Sequence, residues 1–133
     1  MPPTHFIVID DDILNNTLCR YIMEKAEPKL HVQTFTIPEN GFNFIVNEYS
    51  KTERKIPTVL LLDINMPSWS GWEFLDNFDK LDPKIKEQIK IYMFSSSVDP
   101  IDKERALKNR NVVDYIHKPL NTNTISNIIL HYN

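Results

Sequence analysis

Four stretches of this chain are nearly continuous apolar runs too short to be helices: His5–Asp10, Thr58–Asp63, Ile89–Phe94 and Val112–Ile116. Runs of this kind, rich in Val, Ile, Leu and Phe, are strands covered on both faces, the environment of a parallel sheet. A further run, Leu30–Phe35, alternates Leu30, Val32 and Phe35 with polar neighbours and reads as an edge strand.

The segments between them carry helix-start signals. Thr36-x-x-Glu39 and Ser70-x-x-Glu73 have capping-box spacing. Asp99-Pro100 puts a cap before a proline, with Asp102 in the first turn, and Asn121 precedes an apolar stripe of Ile125, Ile128 and Ile129. The charged loop Lys51–Pro57 reads as exposed. The order is βα repeated five times. Parallel strands need right-handed helical crossovers, which yields a three-layer α/β sandwich. The flavodoxin-like order 2-1-3-4-5, a (βα)5 architecture, is the common solution at this length.

That order would bring strand 1 beside strand 3. Strand 1 ends in Asp10-Asp11 and strand 3 in Asp63. The carboxyl edge of an open α/β sheet is where ligands bind. Converging carboxylates repel unless a cation sits among them, and hard oxygen ligands suit Mg²⁺. A carboxylate beside Mg²⁺ is also the equipment of phosphoryl transfer. Asp12, before Ile13-Leu14, reads as a helix cap. Lys118 follows the fifth strand, where Pro119 biases it to extended geometry and its ammonium suits a phosphate. Ser95-Ser96-Ser97 closes the fourth strand with hydroxyls at the same edge.

Bulk properties narrow the class. A length of 133 residues suits one domain. The net charge is −3, with Lys and Arg scattered, so nothing favours nucleic acid. No apolar run is long enough to span a membrane, and the N-terminus lacks a signal-peptide pattern. The lone Cys19 reads as a buried thiol on an amphipathic helix with Leu14, Leu18, Tyr21 and Ile22 facing the core. These features fit a reducing cytoplasm. His5, His31, His117 and His131 have no metal-ligand spacing and read as surface or strand residues.

Ile7-Val8-Ile9-Asp10-Asp11-Asp12, Leu61-Leu62-Asp63-Ile64-Asn65-Met66-Pro67 with Gly71, Phe94-Ser95-Ser96 and Tyr115-Ile116-His117-Lys118-Pro119 together resemble the receiver domain of two-component response regulators. The resemblance covers essentially the whole chain. It implies a stand-alone, CheY-like regulator of one domain, residues 1–133, with no output domain. It implies that Asp63 accepts a phosphoryl group from a histidine kinase or phosphotransfer protein. Asp10 and Asp11 would organise Mg²⁺ with Asp63 and the backbone carbonyl of Asn65. Lys118 would pair with the acyl phosphate, Ser95 would move toward it, and Tyr115 would be the switch aromatic. Met66-Pro67 and Gly71 match the loop into the third helix. The implied partners are the kinase and an unspecified downstream protein, with the chain a monomer or weak homodimer.

Ser96 stands where the family often has Ala, a small departure. Asn65 and Ser97 occupy positions that in the family border the path of the hydrolytic water. A short, uncharged Ser97 is expected to orient that water poorly and to give a long-lived phosphorylated form. Trp69 and Trp72 are expected to flank the site, Trp69 the more exposed, with core packing on the third helix the alternative for Trp72. Two rival readings differ in kind. An aspartyl-nucleophile phosphohydrolase would need an acid where Asn65 stands. An interaction module that is never phosphorylated would not need Asp10, Asp11, Asp63, Ser95 and Lys118 together. The chain is expected not to be a turnover enzyme.

Overall fold

The computed structural model describes residues 2–51 and 54–132. In chain order the elements are β1 (His5–Ile9), α1 (Ile13–Ala26), β2 (His31–Phe35), α2 (Pro38–Lys51), β3 (Thr58–Leu62) and α3 (Gly71–Asp79). There follow α4 (Pro83–Lys86), β4 (Ile89–Ser95), α5 (Pro100–Lys108), β5 (Val112–His117) and α6 (Thr122–Leu130). The sheet is five-stranded, in the order β2-β1-β3-β4-β5, and every pairing is parallel. The expected architecture is therefore present.

Continuous apolar runs make sense because alternate residues feed two cores. Ile7, Ile9, Leu60, Leu62, Ile91 and Met93 meet α2, α3 and α4 on one face. Phe6, Val8, Val59, Leu61, Tyr92 and Phe94 meet α1 and α6 on the other. Each fully buried side chain of this size contributes about 1.5–3 kcal/mol, so the central strands dominate stability. The shared register His5–Ile9 with Thr58–Leu62 brings the ends of β1 and β3 level.

The helices differ in how firmly they are held. α3 buries Phe74, Leu75 and Phe78, and α6 buries Ile125 and Ile128. α5 buries only Ala106, which is worth little more than one methyl, about 0.8 kcal/mol.

Several local expectations need correction. α1 buries Asn16, Cys19 and Met23, whereas Leu14, Leu18 and Tyr21 are exposed. The inward face is set by Asn16, whose amide donates to the carbonyls of Asp10 (2.9 Å) and Phe35 (3.4 Å), tying α1 to the ends of β1 and β2. The Thr36 capping box does not form, because α2 begins only at Pro38. Glu39 instead accepts a 2.7 Å hydrogen bond from Ser68. The Ser70 box is complete, with both reciprocal bonds. α4 is an unexpected single turn, started by the Asp82 side chain accepting from the Lys84 N–H. β5 is an edge strand with Val113, Asp114 and His117 exposed, and its pairing with β4 shifts between Ile91 and Tyr92. Within the expected exposed loop, Thr52 and Glu53 lie outside the described residues, and Arg54 and Lys55 are exposed. Among the described residues no helix is long and apolar enough to cross a membrane.

Candidate functional site

β1 and β3 end side by side, and Asp63 N–H donates to the Ile9 carbonyl at 3.0 Å. That register delivers the acids to one point. Asp10, Asp11 and Asp63 each offer a carboxylate oxygen within 4.8 Å of the others. Asp10 and Asp63 are buried; Asp11 is exposed at the rim.

Asp10 is held by several donors. Its Oδ1 accepts from Asp12 N–H and its Oδ2 from the Asn15 side chain, both at 2.9 Å. Asn15 is a site residue that strand-end reasoning does not find. Its signal is its position in the first turn of α1, right after the cap Asp12, which accepts from the Leu14 and Asn15 N–H groups. Asp63 Oδ1 accepts from the Ile64 N–H at 2.9 Å.

Lys118 reaches in from the end of β5. Its Nζ lies 2.5 Å from Asp10 Oδ2 and 3.5 Å from Asp63 Oδ1, and 5.3 Å from the Phe94 ring centre. Its N–H donates to the Ser95 carbonyl at 2.9 Å, which fastens β5's exit to β4. Burial opposes the charge on Lys118, but the hydrogen bond to Asp10 and the charges of Asp63 and Asp10 outweigh it and hold its pKa above the usual lysine value. Burial, reinforced by the Asp10 carboxylate, pushes Asp63 up to about 6 despite Lys118 and the Ile64 N–H. The site thus carries more negative charge than one ammonium offsets.

Gly71 makes the geometry possible. Its N–H donates to the Ile64 carbonyl at 2.7 Å, and a Cβ there would collide with the Asp63 carbonyl oxygen and sit 2.9 Å from Met93 Cε. Asn65 and Pro67 lie exposed in the turn that Gly71 closes, and Met66 is buried there.

Ser95 is 2% exposed, and its hydroxyl accepts from the Ser97 N–H at 3.0 Å. Tyr115 is half-buried and donates its hydroxyl to the Ser97 carbonyl at 2.9 Å. The sequence-predicted Asp10, Asp11, Asp63, Ser95, Tyr115 and Lys118 all lie at the carboxyl edge of the sheet. Both tryptophans pack partly buried against the core, as the core-packing alternative for Trp72 has it, and Trp69 does not stand out as exposed. Trp69 is half-buried against Phe42 and Phe74, and Trp72 stacks under the Arg105 guanidinium at 4.3 Å. The four histidines are absent from the carboxylate cluster, the one group among the described residues placed to hold a metal ion.

The donor set fits a hard divalent cation: clustered carboxylate oxygens with unrelieved like charge, open to solvent at Asp11. A parallel α/β sheet thus brings a carboxylate cluster able to hold a cation and a lysine to one edge. The profile of the response regulator receiver domain matches residues 6–130, and the chain belongs to that family. A comparison with curated proteins finds no match. Among solved structures, a two-component response regulator from Cytophaga hutchinsonii is similar at 28% identity and TM-score 0.86, over 99% of this chain and 98% of its own. A response regulator receiver protein from Dyadobacter fermentans is similar at 25% identity and TM-score 0.84, over 96% of each chain. The Vibrio cholerae chemotaxis protein CheY4 shares the fold at 18% identity and TM-score 0.75, over 98% and 99%.

Proposed function

We propose that this receiver domain takes a phosphoryl group on Asp63 from a phosphohistidine of a sensor kinase or phosphotransfer protein and thereby switches a protein-binding surface. The convergence of Asp10, Asp11 and Asp63 with the Lys118 ammonium is the observation that carries this reading.

Asp63 Oδ2 is free of the Ile64 and Lys118 bonds that engage Oδ1, and it is the oxygen suited to attack phosphorus. The P–N bond to the donor imidazole breaks as the P–O bond to Asp63 forms, and the imidazole departs with the electron pair. Asp10, Asp11, Asp63 and the Asn65 carbonyl would hold Mg²⁺. When bound, that ion neutralises charge on the phosphoryl oxygens. Lys118, already between Asp10 and Asp63, needs only a small shift to pair with a new phosphoryl oxygen. Ser95 would exchange its bond from the Ser97 N–H for one donated to the phosphoryl group.

The exposed Ile13 and Leu14, in the first turn of α1 beside the site, offer apolar contact to the protein that brings the phosphohistidine. The exposed Ile101 of α5 and Val113 of β5 lie on the surface read by the downstream partner. The chain acts stoichiometrically, as a phosphoacceptor in a reducing cytoplasm, rather than as an enzyme with turnover. The Ser97 hydroxyl donates to Asp102 at 2.7 Å, which takes it away from any hydrolytic water and supports a long-lived phosphorylated form.

Labelling with acetyl phosphate in Mg²⁺ tests the reading. Wild type is expected to gain one acid-stable, base-labile phosphoryl group, and Asp63→Asn none. Labelling retained in Asp63→Asn would assign the acceptor elsewhere.

A further inference from the structure

Ser97 spends every polar group it has on a different part of the switch. Its N–H donates to the Ser95 hydroxyl (3.0 Å), its carbonyl accepts from the Tyr115 hydroxyl (2.9 Å), and its own hydroxyl donates to Asp102 (2.7 Å). The same hydroxyl accepts from the Asp99 N–H at 3.2 Å. Asp102 is half-buried in the first turn of α5.

α5 has little else to hold it. Ala106 is its only buried residue, and Ile101, Lys103, Glu104, Arg105, Leu107 and Lys108 are all exposed. Apart from its own cap and the Glu104–Lys108 pair, the polar side-chain contacts that tie it to the rest of the described residues are Asp102 to Ser97 at its start and Arg105 over Trp72 of α3 at its middle. A helix with this little apolar anchorage sits where its polar contacts hold it.

We propose that Asp102 is the positioning residue that couples the phosphorylation site to α5. It clamps Ser97, which is bonded to both Ser95 and Tyr115, so that displacement of Ser95 is passed to the helix. This rests on Asp63 being the phosphoacceptor. When Ser95 turns to a phosphoryl oxygen, the Ser97 N–H loses its acceptor and the loop 95–99 must shift. Through the Ser97–Asp102 bond α5 moves with it, and the Arg105–Trp72 stack reports the movement. By reciprocity, a protein that binds α5 more tightly in its displaced position stabilises the phosphorylated form.

The test uses a Trp69→Phe background, so that Trp72 is the sole indole, and beryllofluoride with Mg²⁺ as the phosphoryl mimic. Wild type is expected to change fluorescence on saturation, Asp102→Ala to bind the mimic but lose most of the change, and Asp102→Asn, which keeps an acceptor oxygen, to recover it. Amide exchange across residues 101–108 without ligand supplies a second measurement. Asp102→Ala and Ser97→Ala should each speed it about tenfold, with the double variant no faster than either. An Asp102→Ala response equal to wild type, or additive exchange effects, overturns the coupling role. A lowered melting temperature with full response marks Asp102 as merely structural and also overturns it. If wild type fails to bind beryllofluoride, the phosphoacceptor reading fails, and the exchange cycle still decides whether the clamp exists.

Discussion

Lys118 is bonded to Asp10 more closely than to Asp63: 2.5 Å against 3.5 Å. In the unmodified protein the lysine therefore occupies part of the charge space that a divalent cation would use. Two unit charges about 4 Å apart interact by about 1 kcal/mol in water and about 4 kcal/mol near a protein surface. Removing the ammonium should make room for the metal. Lys118→Ala is expected to bind Mg²⁺ about tenfold more tightly, while accepting phosphoryl groups more slowly. Titration by tryptophan fluorescence checks this; unchanged or weaker affinity would refute the competition.

Asp63 is a stability cost before it is a functional asset. Its side chain is 9% exposed and its pKa is raised to about 6, so the folded protein resists its charge. Because the folded value exceeds the unfolded one, the cost is complete above about pH 6 and disappears below about pH 4. Asp63→Asn keeps an acceptor for the Ile64 N–H and removes the charge. It is expected to stabilise the metal-free protein by about 2 kcal/mol at pH 7, with the gain shrinking toward pH 4. Urea melts in chelator at both pH values measure it, and a variant no more stable than wild type at pH 7 refutes it.

Gly71→Ala tests the packing of the site's floor. The added methyl would collide with the Asp63 carbonyl and press on Met93 and Ile64. Overpacking of this kind costs about 1–3 kcal/mol, and here the backbone of Asp63 must also move. Lower stability together with weaker Mg²⁺ binding is expected. Full retention of both would mean that α3 yields easily.

At the opposite end of the sheet, His5 stacks on His31 with ring centres 4.6 Å apart and planes inclined by 21°. The two are register partners on β1 and β2. Burial, then the neighbouring His31, holds the pKa of His5 below the usual histidine value. The unfolded chain therefore takes up a proton first, so this pair's stability is present above about pH 6.5 and lost as pH falls through the lower folded value. Measured in an Asp63→Asn background, which removes the opposing gain from Asp63, the melting temperature should drop between pH 7 and pH 5, and by less when His31→Gln is added. Equal pH slopes would remove the pair as the cause.

The strand pattern was legible because burial on both faces leaves nearly unbroken apolar runs; between the ends of β1, β3 and β4 only Lys90 interrupts them. The helices were less legible. In α1 an inward Asn16 displaces Leu14, Leu18 and Tyr21 to the surface, since two strand-end carbonyls need its amide more than the core needs another leucine. At α2 the start depends on where β2 releases the chain, and Pro38, not Thr36, opens the helix. Trp69 packs partly buried because Phe42, distant in sequence, and Phe74 of α3 form an aromatic niche for it.

The sequence by itself determined the alternation of strands and helices and put Asp10, Asp11, Asp63, Ser95 and Lys118 at strand ends, since local apolarity and strand termini are properties of short segments. Only the tertiary structure decided how those ends are wired. Lys118 chooses Asp10, Asn15 steadies that acid, Gly71 lets α3 approach Asp63, and Ser97 links Ser95, Tyr115 and Asp102. Each relationship joins atoms from different elements at distances set by packing, and no local pattern encodes such a distance.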